Sequence, residues 1–118
     1  EHIAPQSMTS EWAKALFSGV ETDENKYQDL ISTAGNLTLL DEKLNMQAGR
    51  KLFEEKASLK YKNSVLAGVT GDLTSYAHWN EELIRDRTKW MSEMFEIIWS
   101  LDRPLEEVVR FSTWQSGA

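Results

Sequence analysis

The sequence predicts an α+β domain that is mostly α-helical. Three observations carry that reading. Residues 80–99 repeat apolar side chains at three- and four-residue steps. Two shorter segments, 9–17 and 21–32, show the same spacing, the first behind a capping residue and the second behind an acidic turn. A single stretch, Leu37-Thr38-Leu39-Leu40, reads as a strand.

Taken in order, TSEWAKALF at 9–17 offers Thr or Ser as N-cap and Trp12, Ala13, Leu16 and Phe17 as an apolar face, ending near Gly19. ETDEN opens a second short helix through about Ser32, with Tyr27, Leu30 and Ile31 in helical register. The strand at 37–40 is bounded by Gly35-Asn36 and Asp41. From Met46 to about Tyr61 the pattern is again helical, with Met46, Leu52, Phe53 and Leu59 apolar. Residues 63–75 are rich in Gly, Ser and Thr and read as a loop. Asn80 caps the strongest helix, and Glu81 and Glu82 suit its positive first turn. Its stripe runs Leu83, Ile84, Arg87, Trp90, Met91, Met94, Phe95, Ile98, Trp99. Arg87 interrupts the stripe and reads as a buried or half-buried structural residue, ion-paired with Asp41, Glu42 or another acid. Pro104 suits the first turn of a last short helix, LEEVVRF.

The chain has 118 residues, enough for one domain with its own core. Absence of Cys excludes a disulfide scaffold, thiolate metal sites and cysteine nucleophiles, and is compatible with a reducing cytoplasm. No run is long enough for a membrane span, and no signal-peptide pattern opens the chain. Five Trp predict large aromatic anchors in the core rather than stacking platforms for bases. The net charge of −6 argues against a freestanding nucleic-acid binder. Residues 43–62 run the other way, with Lys43, Arg50, Lys51, Lys56, Lys60 and Lys62 against Glu54 and Glu55. That segment reads as a mixed solvated helix face or as a local phosphate-binding surface.

Glu1-His2 open the chain, and Asn36 and Asn45 flank the strand. An acid–His pair ending one strand, a second strand carrying Asn36, and Asn45 on the following helix would form a strand–strand–helix unit. Such a unit can hold one divalent metal ion between the acid and the helix Asn, with the His facing it.

The ordered motifs EHIAPQS, GNLTLL, Asn45 and Phe53-x-x-Lys56 resemble the HNH (His-Me finger) nuclease domain. More narrowly, they resemble the C-terminal domain of GmrSD-type restriction endonucleases. Trp79, Ile84 and Arg87, as W-x4-I-x2-R, and an aromatic at Trp99 extend the resemblance along most of the chain. It implies a ββα-metal core over residues 1–62, with a short hairpin whose first strand is truncated, and helical support over 63–118. It also implies a metal-dependent endonuclease that hydrolyses phosphodiester bonds in bacterial restriction of foreign or modified DNA. His2 would be the general base and Asn36 would orient it through its ring or neighbouring backbone. Glu1 and Asn45 would hold Mg²⁺ or Mn²⁺ through oxygen. Lys56, with Lys51 and Arg50, would contact phosphate.

On this reading the chain is a fragment of a larger cytoplasmic bacterial protein. No GxxxxGK[ST] loop is present, so the nucleotide-hydrolysing and recognition functions of such enzymes would lie in an N-terminal partner domain. Two other readings fit the same residues: a catalytically weak docking module of a defence protein, and a ribonuclease of the same fold.

Overall fold

The structure is a computed structural model, and it describes residues 1–19, 21–64 and 71–100. Five α-helices are present among them: α1 (Ser10–Phe17), α2 (Glu24–Ile31), α3 (Glu42–Ala48), α4 (Phe53–Leu59) and α5 (Glu81–Ile98). Short 3₁₀ turns occupy Ala34–Asn36, Tyr61–Asn63 and Gly71–Ser75. The last of these lies in the stretch read as a loop. The short helix expected after Pro104 lies outside the described residues.

The helix starts follow local chemistry. Thr9 accepts from the Trp12 amide at 3.2 Å, Asp23 from Lys26 at 2.7 Å, and Asn80 from Leu83 at 2.9 Å. Each side chain satisfies one of the amides that a first helical turn leaves unpaired. The helix expected from Met46 to Tyr61 is instead two helices, α3 and α4. Gly49 breaks them apart at φ +47°, a left-handed conformation that glycine adopts without a Cβ penalty.

The expected ββα-metal core with its hairpin is absent among the described residues. Among the described residues the only β contact is one isolated antiparallel bridge, between His2 and Leu37. Around it the Ile3 amide donates to the Asn36 carbonyl at 2.8 Å and the Thr38 amide to the Glu1 carbonyl at 3.1 Å. The ladder stops there for two reasons. Ala4 bonds the Asn36 side chain through both its amide and its carbonyl, so the next rung is made by an amide side chain. Pro5 then has no N–H to give. On the other side Gly35-Asn36 curl into a 3₁₀ turn, and Leu39 is left 61% exposed. The leucine run is therefore an extended connection, and the described residues form an all-helical domain.

The core gathers Ile3, Trp12, Leu16, Tyr27, Ile31, Phe53, Tyr61, Trp79 and Ile84, all essentially buried. Trp79 stacks on Phe53 with ring centroids 5.3 Å apart. Trp12 and Trp79 are the aromatic anchors, Trp90 is half-buried, and Trp99 is 73% exposed, which corrects its assignment to the core. The stripe on α5 is split in the same way. Its first half packs Ile84 and Arg87 inward, while Phe95, Ile98 and Trp99 are exposed and Ile97 is the buried residue of the last turn.

The turn at Ala34–Asn36 is seated directly on α5. A Cβ on Gly35 would collide with the Ile84 carbonyl and the Thr88 side chain, and would come within 2.7 Å of the Thr88 amide. The Gly35 amide donates to Thr88 Oγ1 at 2.9 Å, which itself donates to the Ile84 carbonyl at 2.7 Å. Gly35→Ala is therefore expected to lower stability by about 1–3 kcal/mol or more through overpacking, read as a drop in melting temperature.

Candidate functional site

The segment Glu1–Gln6 is irregular, yet each of its carbonyl oxygens is taken. Thr38 N–H bonds Glu1, Lys56 bonds His2 and Ile3, Asn36 bonds Ala4, Tyr27 bonds Pro5, and Gln28 bonds Gln6. Backbone groups buried without a sheet need such partners. The segment thereby forms one wall of a cleft of about 310 Å³, lined by Glu1, His2, Pro5, Gln6, Ser7, Asn45, Gly49 and Arg50. The opposite wall is α3 and the Gly49 turn. Trp12 fixes that turn by donating from Nε1 to the Arg50 carbonyl at 3.2 Å.

Four of the sequence-selected residues, Glu1, His2, Asn45 and Arg50, share this cleft. Asn45 is exposed in the middle of α3, where its backbone is already bonded to Asp41 and Gly49, and its side chain stands at the cleft. Gln6, Ser7 and Pro5 were not selected from the sequence. Their one sequence signal is that they continue the EHIAPQS stretch. A larger cleft of about 420 Å³ lies between the end of α1 and the start of α5. It contains no His, and its Arg85 is engaged by Glu81 at 2.8 Å.

Asn36 is fully buried behind the cleft and does not reach the His2 ring through any bond among the described residues. Its Oδ1 accepts from the Ala4 amide at 2.8 Å and from Trp79 Nε1 at 3.2 Å. Its Nδ2 donates to the carbonyls of Ala4 at 2.9 Å and Ile31 at 3.0 Å. All four hydrogen-bonding positions of the amide are used. Arg87, also buried, donates from Nη1 to the carbonyls of Gly35 and Leu37 on either side of Asn36.

Lys56 is not at the surface where a phosphate could reach it. Its side chain is 0% exposed, and its ammonium donates to Glu1 Oε1 at 2.6 Å, the Ile3 carbonyl at 2.9 Å and the His2 carbonyl at 3.1 Å. It also stands 5.9 Å from the centre of the Trp12 ring. Lys51 is exposed, paired with Glu55 at 3.3 Å, and outside the cleft lining. Of the three expected phosphate contacts, Arg50 alone lines the cleft.

Electrostatics follow from these positions. Burial lowers the His2 pKa from its ordinary value, helped by the Glu1 α-ammonium and Lys56, with the Glu1 carboxylate opposing. Burial also pushes the Lys56 ammonium down, with the Glu1 carboxylate pulling it back up. Tyr61 donates to Glu1 Oε1 at 3.4 Å, and its phenol is held well above the usual range, first by burial and then by the Glu1 charge. Tyr27, bonded to the Pro5 carbonyl, is pushed up to about 12, mainly by burial.

The side-chain donors lining the cleft are the Glu1 carboxylate, the Gln6 and Asn45 amides, the Ser7 hydroxyl and the His2 imidazole, with no thiolate. No group of three or more His, Cys, Asp or Glu side chains able to hold a metal exists among the described residues. Oxygen donors of this kind are the type that a hard cation such as Mg²⁺ or Mn²⁺ takes alongside water, and the Glu1 Oε1 atom is already held by Lys56 and Tyr61. The set does not provide an all-protein cage.

Asn36→Ala strips partners from the buried Ala4 amide and the Trp79 indole. It is expected to destabilise the domain by about 3 kcal/mol or more, measured by thermal or denaturant unfolding.

Among known families, the model for the C-terminal domain of GmrSD restriction endonucleases matches residues 1–94. No curated protein and no solved structure gives a match. No helix among the described residues is long and apolar enough to cross a membrane. The match spans the anchored N-terminal segment, the cleft and most of α5, and on it the chain belongs to the family of C-terminal domains of GmrSD restriction endonucleases.

Proposed function

We propose that this domain is the phosphodiester-cleaving part of a DNA restriction enzyme, with His2 as general base in the Glu1–Asn45–Arg50 cleft. The observation that carries the proposal is the cleft itself. Residues from positions 1, 2, 45 and 50 line one hollow, in a chain whose family is a restriction endonuclease domain.

The chemistry follows from the side chains. Hydrolysis needs a base that takes a proton from the attacking water. The lowered pKa keeps the His2 imidazole neutral, and so able to accept that proton, at neutral pH. Its backbone is fixed on both sides, by the bridge to Leu37 and by Lys56 on its carbonyl. Asn36 holds the next two residues through its carbonyl and side chain. Glu1 and Asn45 would hold a divalent cation, which when bound would stabilise charge on the phosphate and the departing oxygen. Arg50 would draw the phosphate backbone to the cleft. The body of the domain is acidic, so a partner domain would supply most of the DNA affinity. Recognition of modified or foreign DNA, and nucleotide hydrolysis, would belong to that domain. The compartment would be the bacterial cytoplasm.

Supercoiled-plasmid nicking with Mg²⁺, Mn²⁺ or EDTA tests the proposal. Wild type should nick only with metal, and His2→Ala should lose ~10²–10⁴ in rate. Asn45→Ala should need more metal for the same rate. Nicking that survives His2→Ala would sink the mechanism. An intact wild-type domain that binds metal but never nicks would favour the docking module.

Two further outcomes are expected. The rate should rise with pH as His2 loses its proton and level off, with the midpoint of that rise below the ordinary histidine pKa of 6.5. Arg50→Ala should weaken DNA binding and lower the slope of log affinity against log salt by about 1.

A further inference from the structure

We infer that Lys56 is a positioning residue that aligns Glu1 and His2 for the reaction, rather than a contact to nucleic acid. The inference rests on the nuclease reading above. A lysine is almost never fully buried unless paired, and a buried ion pair commonly adds no stability over well-packed apolar residues. Stability alone therefore does not account for an ammonium at this place in the core. Its bonding pattern does. An ammonium has three protons to donate. All three go to consecutive residues: the Glu1 carboxylate, the His2 carbonyl and the Ile3 carbonyl.

These bonds set two things at once. They choose the orientation of the Glu1 carboxylate, with Tyr61 on the same oxygen at 3.4 Å. They also fix the peptide planes on the C-terminal side of His2. The His2 ring makes no hydrogen bond with any described residue and is only partly buried, so its aim is inherited from its backbone. Lys56 itself rests on α4, and Phe53 of the same helix stacks on Trp79, whose indole bonds Asn36. The acid–His pair is thus referred to the core through one side chain.

The test compares Lys56→Gln, which keeps donors but drops the charge, with Leu30→Ala, a core cavity in α2 away from the cleft. Folding is checked by circular dichroism, and nicking is assayed below each melting temperature with saturating Mn²⁺. Folded Lys56→Gln is expected to lose about 100-fold in kcat with the KM for plasmid held, the scale of a misplaced catalytic group. Leu30→Ala should keep the wild-type kcat. Without metal or DNA, the His2 ring C–H signal in NMR should be single and sharp in wild type and Leu30→Ala, and broadened or split in Lys56→Gln. If Lys56→Gln does not fold, Tyr61→Phe takes its place, with an expected loss of about threefold in kcat. A wild-type kcat, or a sharp and unshifted His2 signal, in the folded variant overturns the inference while leaving the nuclease reading intact. A wild type that does not nick overturns both.

Discussion

A chain segment that enters a protein core without joining a sheet must find partners for its buried carbonyls, and the carbonyls of residues 1–6, the last of them at the surface, are met by five scattered donors. Thr38, Lys56, Asn36, Tyr27 and Gln28 cap their six carbonyls in turn. An unmet backbone group would cost about 1–3 kcal/mol each. Together the six commit the segment to one path, and they draw α2, α4 and the turn before Leu37 against it. That path also shapes the cleft, since Glu1, His2, Pro5 and Gln6 of the segment line it while Ile3 and Ala4 are buried in the core.

The two most constrained donors differ in kind. Asn36 is neutral and saturated, and it replaces a rung of β-ladder with a side-chain amide. It sits on α5 because Gly35, beside it, has no Cβ to keep the helix at a distance. Lys56 is charged and therefore expensive to bury. The Glu1 carboxylate offsets that cost, and the Trp12 ring 5.9 Å away adds a weaker favourable contact. Trp12 also bonds the Arg50 carbonyl, so the tryptophan beside the buried ammonium also fixes the far wall of the cleft. Anchoring and site geometry are coupled through these few side chains.

The break at Gly49 has a related effect. One continuous helix from Met46 to Tyr61 would run straight past the N-terminal segment. The left-handed glycine ends α3, and α4 starts afresh at Phe53. Asn45 and Arg50 then stand on the cleft, while Lys56 points into the core. Residues that look alike in a basic segment are divided between surface and interior by that one turn.

What the sequence determined by itself was local. Capping residues at Thr9 and Asn80, the acidic turn ETDEN and the spacing of Tyr27, Leu30 and Ile31 marked α1, α2 and the start of α5, because those signals act within one or two turns. The ordered motifs from Glu1 to Lys56 identified the family, and residues 1–94 match it. Tertiary structure decided the rest. A leucine run with strand character became an extended connection, because the ladder beside it is ended by Asn36 and Pro5 rather than by its own propensity. Trp99 followed a helical stripe and is nonetheless exposed, because a stripe reports a face and not whether anything covers it. Lys56 carried a charge that pattern reading assigns to solvent. Only the partner 55 residues away, a carboxylate at 2.6 Å, makes its burial possible, and no local signal encodes that distance.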